Sequence, residues 1–125
     1  MDDDDLVEAF EAGAVGAAEF PHERHVRVAW GLARHYGRQD GLRRMIAGIR
    51  GMAQRDGRPD AYHETITRAW FELIAGAEDL AEDSPLFERT LLSRYYSSAR
   101  LAEGRAQWVE PDRHPLALPA PAMER

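Results

Sequence analysis

The 125-residue chain contains no cysteine. Disulfides, thiolate nucleophiles and thiolate metal ligands are thereby excluded. Lysine and asparagine are absent as well, so all 16 basic residues are arginine. Together with abundant alanine and glycine, this reads as coding bias in a GC-rich genome, and it removes weight from any single arginine as a mark of a phosphate site. No apolar run approaches a membrane span, and the acidic opening Asp2-Asp3-Asp4-Asp5 is the reverse of a basic signal-peptide start. The expectation is a cytoplasmic protein with no membrane partner. A net charge of −6, from 22 acidic against 16 basic residues, argues against nucleic acid.

What is present is helical periodicity. A chain of this length buries roughly two-thirds of its unfolded surface, enough for one domain with its own core. Any metal would therefore serve function rather than hold the fold. Leu6, Val7, Phe10 and Val15 form the stripe of a first helix over about 4–14, favoured by the aspartates at its start. A second helix opens at Pro21 and stops at Gly37, with His22, Val26, Ala29, Ala33 and Tyr36 facing inward and His25, Trp30 and Leu32 flanking. Leu42, Met45, Ile46, Ile49, Met52 and Ala53 mark a third helix. Asp60 is the expected cap of a fourth, whose stripe is His63, Ile66, Trp70, Leu73, Ile74 and Ala77. Ser84-Pro85 opens a fifth with Phe87, Leu91 and Leu92 apolar, and a short sixth spans Ser98 to Glu103. The prolines at 111, 115, 119 and 121 imply an extended tail, with Trp108, Leu116 and Leu118 packing it down.

The expected fold is all-α, a single domain over 1–125: an antiparallel bundle of five to six helices over 1–104, and a packed extended tail over 105–125. Short connections make successive helices antiparallel. Helices two and four then begin at one end, gathering His22, His25, His63 and Glu64, with Arg94-Tyr95-Tyr96 arriving after helix five.

That gathering is the candidate site. His22 and His25 stand three apart and share a helix face, and His63 from a neighbouring helix makes a third imidazole. Imidazoles with a carboxylate suit zinc, iron, nickel, copper or manganese, and three protein ligands with an open position is the catalytic arrangement. Glu64 serves as fourth ligand or as base for bound water; Tyr95 or Tyr96 donates a proton or touches substrate. The spacing is not that of HExxH. Each residue also has a plainer explanation. A first-turn histidine can simply hydrogen-bond a neighbour, and Glu64 is favoured by the helix dipole. Glu19 and Asp60 read as caps, His35 as a helix C-terminal residue, His114 as exposed, and Trp30 and Trp70 as core. Thr67, one turn after His63, is placed to orient its ring.

Phe20-x-His22-x-x-His25 with Ala29-Trp30, Tyr62-His63-Glu64-Thr65-x-Thr67, Arg94-Tyr95-Tyr96-Ser97, and Pro111-Asp112 before Pro115-Leu116 together resemble a small bacterial all-helical family without an assigned activity. The likeness runs from residue 20 to 118. It implies that these motifs form one unit and transfers no catalytic role.

The leading expectation is a metal-dependent enzyme acting on a small organic molecule, with a divalent ion on His22, His25 and His63. A second is a metal-free acid–base enzyme with His63 as base and Arg24 or Arg94 neutralising an anionic substrate. A third is a non-enzymatic ligand-binding or accessory protein. A homodimer is compatible with all three.

Overall fold

The computed structural model describes residues 2–117, and among these every regular element is helical. Helix α1 spans Asp3–Glu11, capped by the Asp2 carboxylate, which accepts the Asp5 amide at 2.8 Å. Helix α2 spans His22–Arg55, α3 spans Glu64–Ala75 and α4 spans Ser98–Glu103. Short 3-10 turns at Ala17–Glu19, Pro59–Ala61, Pro85–Phe87 and Arg89–Arg94 link them.

The expected stop at Gly37 is a hinge within α2. Gly37 has φ 84° and ψ 176°, a conformation that side-chain-bearing residues rarely adopt, so the helix breaks there into two arms, 22–36 and 38–55. Helix α1 packs on α2, and a Cβ added to Gly48 would meet the Phe10 ring at 2.2 Å. That glycine is a notch that admits a fully packed aromatic. Arg55 donates to the Val15 carbonyl at 3.2 Å, and Asp56 accepts the Ala17 amide at 3.0 Å, tying the loop after α1 to the end of α2.

Much of the expected core is where the 3.6-residue period places it. Leu6, Val7, Phe10, Val26, Ala29, Leu32, Met45, Met52, Trp70, Leu73 and Ile74 are buried in one cluster. Tyr36 departs from the expected inward stripe: it is exposed, and its hydroxyl donates to Glu11 at 3.2 Å. Its ring lies under the Arg44 guanidinium, 3.8 Å from the ring centre, on the side of α2 that faces Glu11.

Two further expectations are corrected. Asp60 does not cap the helix that follows; it lies in the Pro59–Ala61 turn, and the cap is His63. The fifth helix is replaced by two 3-10 turns separated by Glu88 at φ −86° and ψ 113°. This break lets Leu86 join Leu91 and Leu92 in the core, which a continuous helix starting at Pro85 would not align. The Ser98–Glu103 helix matches its expected bounds. Trp108 and Leu116 pack partly buried on the core, whereas Leu118 lies outside the described residues.

Candidate functional site

Pro21, extended at φ −66° and ψ 170°, starts the first arm of α2, and its carbonyl accepts the His25 amide at 3.0 Å. One turn of helix then sets the His22 and His25 rings 6.1 Å apart. His22 packs edge-on against Trp70 at 4.6 Å, and its Nε2 lies 2.8 Å from the Leu86 carbonyl oxygen. A carbonyl can only accept, so Nε2 carries the proton and Nδ1 is left as an acceptor. The His25 ring lies 5.8 Å from Phe20. Its ring nitrogens have no protein partner among the described residues, and no buried side-chain nitrogen or oxygen is left unpaired, so these nitrogens reach solvent. Burial, and secondarily the neighbouring His22, pushes the His25 pKa from 6.5 down to about 4. At neutral pH the ring is uncharged, with one donor and one acceptor to offer.

These rings open onto a hollow of about 690 Å³. Ile49, Ile66 and Trp70 supply apolar wall, and Arg89 brings a guanidinium to it. Phe87, expected only as an apolar helix residue, and Arg89, which the sequence did not single out, enter the wall from the two 3-10 turns.

His63 is elsewhere. As cap of α3 its Nδ1 accepts the Ile66 amide at 3.1 Å, while Nε2 donates to the Leu101 carbonyl at 2.8 Å. Both nitrogens are in use. Burial, aided by the positive Arg105, lowers its pKa despite the opposing bond to Leu101. His22 meets α3 at Trp70, seven residues beyond His63, which is about 10 Å along a helix at 1.5 Å per residue. His63 is not in the wall that His22 and His25 share, and among the described residues no three histidine, aspartate or glutamate side chains are placed to hold one ion.

Glu64 accepts the Tyr62 hydroxyl at 2.7 Å and lies 3.8 Å from both Arg50 and Arg68. The Tyr95 and Tyr96 hydroxyls, expected at a substrate, donate to main-chain carbonyls of the C-terminal segment: Tyr95 to Ala117, and Tyr96 to Val109 at 2.8 Å. Both rings are buried. Burial first, then Glu110, pushes the Tyr96 phenol up to about 12, far from a proton donor at neutral pH. Thr65 joins the same clasp: fully buried, it donates to the Gln107 carbonyl at 3.0 Å and accepts the Val109 amide at 3.1 Å. Thus the Tyr62–Thr67 and Arg94–Ser97 motifs serve largely to hold residues 104–117.

Compared with known proteins, the chain matches no family model, no curated protein sequence and no solved structure.

Chemically, the hollow offers a neutral unpartnered imidazole, a second imidazole oriented by a carbonyl, one guanidinium, the Glu23 carboxylate and apolar walls. This suits holding a small molecule with an apolar body and a polar end.

Proposed function

We propose that this protein binds a small amphipathic organic molecule in the hollow beside His22 and His25, with His25 as the group that receives its polar end. The observation that carries this reading is the unpartnered His25 ring facing an apolar-walled hollow. A buried amide or hydroxyl would normally be matched, and a ring whose nitrogens have only solvent for a partner is ready to exchange that solvent for a ligand. Binding is favoured over proton abstraction by His25, because a base with a pKa of about 4 is far from the near-neutral value that general base catalysis rewards.

Titration of the protein with hexanoate and, separately, with hexanol tests the site, with the side-chain NMR signals of the histidines as readout. The expected result is that His25 signals move and those of His63 do not. Signals of His25 that stay fixed with both probes up to their solubility would overturn the reading.

A metal-dependent reading is favoured by one observation: the Leu86 carbonyl orients the His22 ring as second-layer partners orient metal-bound imidazoles, leaving Nδ1 free. His22 and His25 would be its two protein ligands, with no contribution from His63. Stoichiometric zinc uptake that disappears in both His22→Ala and His25→Ala would make this the working reading.

A further inference from the structure

The second-arm face of α2 carries another hollow, of about 250 Å³, lined by Met52, Ala53, Ala61 and Tyr62. Ile49 lines both this hollow and the one at His25. The two cavities therefore border the same partly buried side chain of α2. From Ile49 to Ala53 is four residues, about 6 Å of helix, so the second hollow extends the first by the reach of a short alkyl segment.

The two cavities differ in chemistry. In the second, the Tyr62 hydroxyl donates to Glu64 and the Asp56 carboxylate accepts the Ala17 amide, while the remaining polar side chain of the lining, Arg58, is exposed and keeps its water. A polar ligand atom placed against Met52, Ala53 and Ala61 would lose its water without a partner, whereas methylenes would lose nothing. In the first hollow, His25 can donate a hydrogen bond, and Arg89 makes no ion pair among the described residues. Glu23 also borders it, bonded to Arg27 at 3.3 Å. One guanidinium beside one carboxylate suits a monoanion and disfavours a dianion such as phosphate.

We infer that the molecule bound here is an unbranched carboxylic acid of medium chain length, its carboxylate at His25 and Arg89 and its chain running past Ile49 into the hollow between Met52, Ala53 and Tyr62. This rests on the binding reading above and names its ligand class. The head is fixed by a charge-assisted bond to Arg89 and an N–H donated by His25. The chain is selected by length, because methylenes beyond Ile49 gain burial only in the second hollow.

Affinities of hexanoate, decanoate and decanol, each kept below its aggregation limit, test this in the whole chain, with the His25 signals as readout. Each methylene that enters the second hollow should tighten binding by up to about fourfold, so decanoate should bind at least tenfold tighter than hexanoate. Ala53→Trp, with Ala53→Leu as the smaller filling variant, should erase that advantage and leave hexanoate within about twofold. Arg89→Gln should weaken both acids by about tenfold and leave decanol unchanged. Equal affinity for the two acids, or a decanoate advantage that survives both Ala53 variants, overturns the inference while hexanoate still marks the site. An Arg89→Gln protein that binds acids as before overturns the placement of the head. If none of the three probes moves the His25 signals, the binding reading itself falls.

Discussion

The Nε2 of His63 lies 2.8 Å from the carbonyl oxygen of Leu101, 38 residues further along the chain. With Nδ1 holding the Ile66 amide, this one ring caps α3 and fastens it to α4. The motif that first reads as a ligand is therefore a joint between elements.

His63→Ala should remove a cap and leave the Leu101 carbonyl without its donor. Each of those costs about 1 kcal/mol, so urea denaturation should show a loss of about 2 kcal/mol. Binding of hexanoate at His25 should persist in the folded variant. A loss of binding with unchanged stability would show that His63 belongs to the site after all.

Acid should weaken the fold before the carboxylates titrate. The folded-state pKa values of His25 and His63 both lie below the ordinary 6.5, His25 at about 4. The unfolded chain then takes up these protons first as pH falls. Stability from the two rings is complete above about 6.5, declines below it, and for His25 stops declining near 4. The His25 share is at most about 3 kcal/mol and is reduced by the solvent that reaches its ring. Chemical denaturation from pH 7.5 to 4, compared with His25→Phe and His63→Asn, checks the sign; a wild-type protein most stable near pH 4.5 would contradict it.

The C-terminal clasp is open to two conservative tests. Tyr96→Phe deletes only the hydroxyl bonded to Val109 and should cost about 1 kcal/mol. Thr65→Val keeps the shape but strands the Val109 amide and the Gln107 carbonyl, and should cost about 1–3 kcal/mol. In both variants amide exchange should accelerate at residues 105–113 more than in α2. Uniform acceleration across the chain would show that the segment is not a separate unit.

Trp70→Ala should cost about 3–5 kcal/mol by opening a core cavity, and it should also widen the hollow beside His22. Gly48→Ala should cost about 1–3 kcal/mol for the opposite reason, because the added Cβ meets Phe10 at 2.2 Å. Phe10→Leu, which shortens the ring that fills the notch, should recover part of the Gly48→Ala loss in the double variant. Strict additivity of the two losses would place the clash elsewhere.

Periodicity in the sequence determined the helical class and the α3 stripe of Trp70, Leu73 and Ile74, because the burial of regularly spaced apolar side chains is a local pattern. The pairing of His22 with His25 was equally local: three residues of helix bring two rings onto one face. What only the tertiary structure decided was everything that depends on a backbone carbonyl from far along the chain. Leu86, Leu101, Val109 and Ala117 receive hydrogen bonds through atoms that every residue possesses, so no residue type announces them. Those bonds assign His63 to α4, Tyr95 and Tyr96 to the C-terminal segment, and His22 to the turn at Leu86. The axial position of α3 against α2 is likewise invisible to periodicity, which fixes the face a side chain occupies and leaves open how far one helix slides along another; here Ile66 and Trp70 reach the hollow while His63 turns to Leu101.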